Sequence, residues 1–403
     1  MASSANAPAP ELPRTRSKSA PLDPPAGFAR LRAEQPITRV SLWEGSLNPW
    51  LVTTYEDARA VLGSPAFSVE QSHPGFPATH AEPTPPVPRG VFVKHDPPVH
   101  TTFRRALTRE FMVKRIEALR EPTTRIADQV ITEMIDSGSP ADFVEHVALA
   151  LPSLVICELL GVPYEGHDFF QDNAKVMLDT RSSHDAVAAA RQTLGEYLEK
   201  LIEEKRRAPG EDVLSRLAQQ VEDGVFPLRD ASNLGWFLLV AGHETTGNMI
   251  GLSTIALLGN PDQISRLYEG KAELANAIEE LLRYVTVIHS GLRRVATEDV
   301  TIGGVTIQAG DGVIISLNAA NRDPGMFPDP DRLDLTRADA RQHVAFGYGI
   351  HQCLGQPLAR MELQVLLPEI FRRLPNLSVV TDKDIPFKDA SEVYGVQSLP
   401  VTW

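Results

Sequence analysis

The strongest constraint on this chain is a cysteine in a glycine-rich loop directly ahead of a predicted helix. Residues 346–355 read FGYGIHQCLG, and an apolar pattern typical of a buried helix face follows Cys353. The unpaired N–H groups and the dipole at a helix N-terminus favour a thiolate. Because glycines leave the backbone bare, a large flat group can come close to it. Such a thiolate suits a single axial bond to haem iron.

Other roles for this cysteine have to be weighed. A lone cysteine is usually a small core residue. The chain holds only two cysteines, Cys157 and Cys353, which excludes a Cys-rich zinc site. Cys157 lies in the apolar run of residues 151–160 and is predicted to be core. The sequence around Cys353 is neither papain-like nor caspase-like, which weakens the interpretation as a catalytic nucleophile.

The spacing Phe346-x-x-Gly349-x-x-x-Cys353-x-Gly355 resembles the haem-binding loop of the cytochrome P450 family. The resemblance implies a haem b cofactor with Cys353 as the thiolate ligand of the iron. It further implies that Phe346, Gly347 and Gly355 contact the haem.

The same resemblance implies a fold class and a domain organisation. We expect a mainly α fold with a small β part, in which the haem lies between a long central helix and the cysteine loop. Residues 26–403 would form a single catalytic domain. Residues 1–25, rich in proline and serine, are predicted to be a flexible tail.

The long central helix is predicted over residues 229–258, which contain the run LLVAGHETTG at 238–247. Glycine and threonine at the centre of an apolar helix go against local propensity, as functional sites often do. A threonine hydroxyl can bond a carbonyl one turn back, and Gly242 would ease a kink there. The alternative is a helix crossing that needs small residues.

By resemblance, this run is the oxygen-activation motif of the cytochrome P450 family. Glu244 and Thr245 would be its acid–alcohol pair, acting in proton delivery. Ala241 would contact the haem, and Val240 would border the substrate.

Four basic residues are candidates for anion contacts. His100 and Arg104 stand four apart in a predicted helix and can reach one anion, although a solvated basic face is the simpler interpretation. The resemblance implies that His100, Arg104, Arg294 and His351 bind the haem propionates.

A further pair resembles the family's structural Glu-x-x-Arg motif. Glu280 and Arg283 are three residues apart, and Arg332 is expected to complete the set. Other residues implied by the resemblance belong to the substrate pocket: Phe92, Val240, Val287, Ile288 and Val393. Residues 71–89 are predicted to be a long loop over that pocket, and Gly303 and Gly304 to turn a hairpin.

Composition limits the partners and the location. A net charge of −13 argues against nucleic acid, and no apolar run is long enough to span a membrane. Two cysteines fit a reducing cytoplasm. We therefore expect a soluble, cytoplasmic monomer without a membrane anchor. A basic stretch is either ordinary helix surface or a docking face for an acidic ferredoxin or flavodoxin: Arg105, Arg109, Lys114 and Arg115.

Together these features predict a haem-thiolate monooxygenase that hydroxylates or epoxidises an apolar molecule with O2. The chain shows no dinucleotide fingerprint, so electrons are expected from NAD(P)H through a separate reductase and ferredoxin or flavodoxin. The resemblance suggests a polyketide, macrolide, terpenoid, steroid or drug-like substrate. The alternatives are a haem-thiolate reductase or peroxygenase, and a non-catalytic haem sensor.

Overall fold

A long buried helix, Leu228–Leu258, forms the centre of the fold in this computed structural model. The structure describes residues 9–43, 47–78, 86–163, 167–179, 181–380, 384–389 and 391–403. Most of the 31 residues of the central helix are buried, as expected for a helix that is apolar on nearly all sides. The helix predicted over residues 229–258 is confirmed.

The described residues form thirteen α-helices. In chain order they are α1 (Gly27–Glu34), α2 (Tyr55–Gly63), α3 (Val99–Thr108), α4 (Val113–Glu117), α5 (Arg120–Ser137), α6 (Ala150–Leu160), α7 (His167–Leu178), α8 (His184–Arg207), α9 (Val213–Glu222), α10 (Leu228–Leu258), α11 (Lys271–Val285), α12 (Leu317–Ala320) and α13 (Gln356–Arg373).

The strands are few and form small sheets. They are β1 (Ile37–Arg39), β2 (Trp50–Val52), β3 (Phe67–Ser68), β4 (Ala141–Asp142), β5 (Leu292–Ala296), β6 (Val300–Ile302), β7 (Val305–Ile307), β8 (Gly312–Ile315), β9 (Ser378–Val379) and β10 (Pro400–Thr402). A five-stranded sheet has the order β1-β2-β8-β5-β3, and a three-stranded sheet the order β4-β10-β9. Strands β2 and β8 are parallel, with Trp50 opposite Val313, and the other pairs are antiparallel.

The packing confirms the predicted fold class, mainly α with a small β part. Helix α10 packs against α6, α8 and α13, and their apolar side chains share one large core cluster. The five-stranded sheet has its own smaller cluster with α2. The predicted hairpin is confirmed as β6 and β7, which Gly303 and Gly304 join with φ of 55° and 78°. Residues 71–78 and 86–89 contain neither helix nor strand, in keeping with the predicted loop.

The structure differs from the flexible tail predicted over residues 1–25, because residues 9–25 pack on the folded body. Leu12 is buried in an apolar cluster with Phe28, and its N–H donates to the Ser41 carbonyl at 2.9 Å. Arg16 is also buried, with its guanidinium 4.0 Å from the centroid of the Tyr394 ring. Leu12 and Arg16 therefore hold residues 9–25 against the folded body, although the composition of this segment predicted a flexible tail. Residues 1–8 lie outside the described part.

Membrane spanning is not indicated by any described helix. None of them joins the necessary length to the necessary apolarity.

A fully buried ion network fixes α11 to the loop that follows α12. The carboxylate of Glu280 accepts two hydrogen bonds from Arg283, at 2.7 and 2.8 Å, and neither side chain is exposed. Arg337 donates from Nε to the same carboxylate at 3.1 Å. The Arg283 guanidinium also donates to the Asn321 and Pro330 carbonyls, both at 2.8 Å. Every buried charge here has a partner, as burial requires.

The third member of this network is Arg337, so the prediction of Arg332 is wrong. The Arg332 side chain is 69% exposed and pairs with Asp334 at 3.0 Å. Arg332 takes part only through its carbonyl oxygen, which accepts from Arg283 and Arg337. Arg332 and Arg337 are five positions apart. The conformation of the chain between them places the Arg337 side chain, and not that of Arg332, in the interior.

A second network joins α11 to α13. Glu279 accepts from Arg360 at 2.7 and 2.9 Å, and its Oε2 lies 3.0 Å from His343 Nε2. Burial alone would raise the pKa of Glu279, but the hydrogen bonds to His343 and Arg360 outweigh it and lower the pKa to about 2. Glu279 therefore stabilises the fold in its charged form.

Arg337→Met should lower the free energy of unfolding by about 1.5–3 kcal/mol, because Glu280 loses a buried charge-assisted hydrogen bond. Arg332→Met keeps the backbone carbonyl that accepts from Arg283 and Arg337. It should therefore change the free energy of unfolding by about 0.5 kcal/mol or less. Urea unfolding followed by far-UV circular dichroism measures both. A larger cost for Arg332→Met would contradict the assignment.

The Glu279 network also predicts a pH dependence. Because the folded pKa is lowered, its stabilisation is complete above about pH 4.5 and is lost as the pH falls toward 2. Between pH 6 and pH 3.5 this group should cost the wild type about 1.4 kcal/mol of unfolding free energy. Glu279→Gln should remove that share of the pH dependence.

Urea unfolding at the two pH values measures this effect. Glu121→Gln is the matched control, since that side chain is 86% exposed on α5, and it should keep the wild-type pH dependence. The interpretation fails if Glu279→Gln and Glu121→Gln lose stability equally between pH 6 and pH 3.5.

Candidate active site

The loop of residues 346–355 closes on itself just ahead of α13. The Cys353 N–H donates to the Phe346 carbonyl at 2.9 Å. Gly349 has a φ of 75°, and a Cβ there would lie 2.4 Å from the Leu62 carbonyl oxygen. This position therefore requires glycine, on grounds of both conformation and space. The Arg360 guanidinium packs 4.7 Å from the centroid of the Phe346 ring and ties the loop to the Glu279 network.

Cys353 is an exposed residue, but its sulfur atom is surrounded by protein. Burial raises its pKa, whereas the Gly355 and Gln356 N–H groups and the charges of Arg104 and Arg360 lower it. The expected help from the helix N-terminus is thus present, but burial outweighs it and the pKa lies above its ordinary value. A further positive charge bonded to sulfur, such as a metal ion, would favour the thiolate.

The four basic residues that the resemblance implied as propionate contacts lie together beside this loop. Arg104 on α3 donates to the Gln352 carbonyl at 2.6 Å, next to Cys353. The His100 and His351 rings pack with centroids 4.3 Å apart. Burial first, and then the charges of Arg294, His100 and Arg104, lower the pKa of His351 to about 3. The structure therefore brings the four groups within electrostatic reach of one another.

Several polar atoms of this cluster lack the hydrogen-bond or ion-pair partners that buried polar atoms normally have. Neither ring nitrogen of His100 has a hydrogen-bond partner among the described residues, and the same holds for His351 Nδ1. Burial lowers the pKa of Arg294 to about 10, and within the described part no carboxylate forms an ion pair with Arg294 or Arg104. A buried set of donors and cations with no anion is a fit for the propionates of a haem.

Helix α10 supplies part of the wall of a cavity of about 990 Å³, through Val240, Ala241, Glu244 and Thr245. The Thr245 hydroxyl donates to the Ala241 carbonyl at 2.9 Å, the bond one turn back that the sequence suggested. Glu244 is not bonded to Thr245. Its Oε1 binds Lys388 Nζ at 2.6 Å and Asn248 Nδ2 at 3.1 Å.

The ion pair with Lys388 controls the charge of Glu244. Burial alone would raise the pKa of this carboxyl, but Lys388 outweighs burial and the pKa is lowered. Glu244 is therefore an anion held on the cavity wall. Lys388 comes from the C-terminal part of the chain, and nothing in its local sequence marks it.

The glycines of α10 serve helix packing. A Cβ at Gly242 would lie 2.7 Å from Ile156 of α6, and one at Gly247 would lie 2.6 Å from the Leu149 side chain. Helix α10 is continuous from Leu228 to Leu258, and the crossing with α6 accounts for a glycine at position 242.

The expected substrate residues divide into two groups. Val240 and Val393 line the cavity. Phe92, Val287 and Ile288 are not among its described lining residues. Phe92 is instead packed between His100 and Phe237, with ring centroids 5.8 Å from each, because α3 and α10 enclose it.

Two further buried residues complete the surroundings. Burial raises the pKa of Glu362 on α13 to about 8, and the nearby Thr246 hydroxyl of α10 lowers it only in part. In the sequence, the only sign of Glu362 is a glutamate within an apolar helical pattern. Cys157 is buried in α6, and burial raises the pKa of its thiol to about 12, so the prediction of a core cysteine is confirmed.

The protein's own ligands do not make a complete metal site. Among the described residues, no group of three or more His, Cys, Asp and Glu side chains could hold a metal ion. Cys353 could thus contribute one bond to a metal whose other ligands come from a cofactor.

Comparisons with known proteins agree with this geometry. The family model of cytochrome P450 matches residues 32–402. The chain is 47% identical to cytochrome P450-SU2 of Streptomyces griseolus over 97% of this chain and 96% of that protein. It is 45% identical to cytochrome P450 GfsF of Streptomyces halstedii, over 98% of this chain and 96% of that protein.

Solved structures agree equally well. The crystal structure of GfsF superposes with a TM-score of 0.90 at 44% identity, over 98% of this chain and all of that one. The crystal structure of CYP105P1 in complex with filipin I gives 0.91 at 42% identity, over 98% and 99% of the two chains. With this similarity along nearly its whole length, the chain belongs to the cytochrome P450 family of monooxygenases.

Proposed function

We propose that this protein is a haem-thiolate monooxygenase that inserts one oxygen atom of O2 into a largely apolar small molecule. The observation that carries the proposal is the buried basic cluster without carboxylate partners beside the cysteine loop. In this proposal Cys353 Sγ bonds the iron of haem b, and His100, Arg104, Arg294 and His351 hold the propionates.

The loop and α10 have different tasks in the reaction. A haem bound through the thiolate supplies the activation of O2, because the thiolate donates electron density that favours O–O cleavage. Thr245 Oγ1 and the Glu244 carboxylate line the cavity and pass protons into it through water. The Lys388 contact keeps Glu244 ionised, so that Glu244 can accept a proton from outside and release it inward.

The alternatives are less well supported. A haem-thiolate reductase or peroxygenase would not need the acid–alcohol pair, and a haem sensor would not need proton delivery. Glu244 and Thr245 both lie on the cavity wall, which favours the monooxygenase.

Electrons would reach the haem from NAD(P)H through a reductase and a ferredoxin or flavodoxin. Three residues of the basic stretch, Arg105, Arg109 and Lys114, are exposed, and no described carboxylate pairs with them. Such a surface attracts an acidic partner and orients its approach. We place the enzyme in the cytoplasm, a reducing compartment that suits its two cysteines, which form no disulfide. We expect it to be a monomer.

The cavity supports a substrate of medium to large size. About 990 Å³ is at the upper end of the range for small-molecule sites. The related CYP105P1 was solved with filipin I. A polyketide, macrolide, terpenoid, steroid or drug-like molecule is therefore the proposed substrate class.

The iron ligand can be tested by spectroscopy. The reduced carbon monoxide adduct of the wild type should show the red-shifted Soret band of thiolate ligation, because Cys353 Sγ donates electron density to the iron. Cys353→His should lose this band. Cys157→Ser is the control and should keep it, since that thiol is buried in α6. A wild-type spectrum typical of imidazole ligation would overturn the assignment.

The proton-delivery role can be tested by coupling efficiency, which is the product formed per NAD(P)H oxidised. Thr245→Ala should still bind haem and substrate, but coupling should fall by about tenfold or more, with hydrogen peroxide formed instead. A positioned proton-transfer group usually contributes a larger factor than this to a rate. The expected loss of coupling is smaller because Glu244 remains. Thr245→Ser keeps a hydroxyl and should retain more coupling than Thr245→Ala.

Helix α10 offers a matched control for this experiment. The Thr254 hydroxyl donates to the Ile250 carbonyl at 2.9 Å, the same bond one turn back, but Thr254 is fully buried and does not line the cavity. Thr254→Ala should therefore leave coupling unchanged. Equal coupling in all the Thr245 variants would remove this hydroxyl from the mechanism.

A further inference from the structure

The wall of the 990 Å³ cavity is not uniformly apolar. Trp236, Phe237 and Val240 give it an apolar surface on α10. Elsewhere it carries ionisable side chains of both signs. The cations are Arg14, Lys94, Arg181, Arg191 and Arg293, and the anions are Asp179, Glu244, Asp389 and Glu392.

Most of the anions on this wall are already bound to cations. Arg181 pairs with Asp179 at 2.8 Å, and Arg293 pairs with Glu392 at 3.2 Å. Glu244 is held by Lys388 at 2.6 Å.

Three wall cations are left without such a partner. Arg14, Lys94 and Arg191 form no ion pair with any carboxylate of the described residues. The Nε of Arg191 is buried and has no hydrogen-bond partner there either. The cavity wall therefore has a local excess of positive charge.

Lys94 is the most deeply placed of these three cations. It ends the short helical turn Phe92–Lys94, shortly before α3. Burial lowers the pKa of its ammonium group, Glu392 raises it, and Arg293 and Arg191 lower it further. Lys94 lines the same cavity as Arg191, Arg293 and Glu392, and the Glu392 carboxylate is bound to Arg293. An ammonium in such a place is stabilised by any anion that enters.

We propose that the substrate carries a carboxylate on an apolar body, and that Lys94, with Arg293 and Arg191 near it, is the residue that selects this group. The inference rests on the proposed monooxygenase function and adds the chemical class of the substrate. The apolar body lies against Trp236, Phe237 and Val240. With the carboxylate at Lys94, an apolar part of the substrate faces Thr245, which lines the same cavity.

The test uses ferric, haem-loaded enzyme and two probe pairs: decanoic acid with methyl decanoate, and lithocholic acid with its methyl ester. Isothermal titration calorimetry gives each dissociation constant. In at least one pair the wild type should bind the acid about tenfold or more tightly than the ester, as a charge-assisted contact allows. Lys94→Gln should remove this preference by weakening the acid only, and Lys94→Arg should retain most of it.

Lys200→Gln is the matched control, because Lys200 is exposed on α8 and does not line the cavity. It should keep the wild-type preference. Equal affinity for acid and ester, or no binding in either pair, overturns the proposal. It is also overturned if Lys94→Gln loosens the haem and leaves the acid-to-ester ratio unchanged, because Lys94 would then belong to the propionate contacts.

This result can be separated from the monooxygenase proposal. The binding experiment needs neither electrons nor O2, so an absent preference for acids leaves the proposed reaction intact. The carbon monoxide spectrum of the wild type and of Cys353→His tests the haem-thiolate site independently of any substrate.

Discussion

The close crossing of α10 and α6 is the contact on which the rest of the site depends. At Gly242 there is no space for even a methyl group beside the Ile156 side chain, so a larger residue there would have to displace Ile156 or move α10 away from α6. A helix is rigid over one turn, and the positions of Ala241, Glu244 and Thr245 follow from where this crossing holds it. The motif thus combines two requirements in adjacent residues. Glycine meets a packing constraint, and the acid and the alcohol beside it face the cavity.

Charge pairing separates structural residues from those that await a ligand. Glu280, Arg283 and Arg337 are paired with one another in the interior, and backbone carbonyls accept the remaining hydrogen bonds of the two arginines. The basic groups beside Cys353, and Lys94 and Arg191 of the cavity wall, are at least partly buried and form no ion pair with a carboxylate of the described residues. A fold does not keep such groups for stability, since an unpaired buried charge costs free energy. In the two proposals above, the haem propionates would pair with the first set and a substrate carboxylate with the second.

The sequence predicted what is local and missed what depends on the approach of distant segments. The helix 229–258, the Gly303–Gly304 turn and the core position of Cys157 follow from periodicity and turn chemistry within a few residues. The Glu244–Lys388 ion pair joins positions 144 residues apart, and no local sequence pattern around either residue predicts it. The choice of Arg337 over Arg332 depends on how one loop folds back onto α11. Leu12 and Arg16 likewise became visible as anchors only in the folded chain.

The C-terminal segment connects these features physically. It supplies Lys388 to Glu244, Glu392 to Arg293 and Val393 to the cavity wall. The Arg16 guanidinium stacks over the ring of Tyr394, the next residue. The Tyr394 hydroxyl donates a hydrogen bond to the Pro21 carbonyl at 3.0 Å. One short segment therefore holds Glu244, a charged part of the cavity wall and the N-terminal residues together. Since these contacts are mutually supporting, residues 9–25 shape the cavity although they carry no motif.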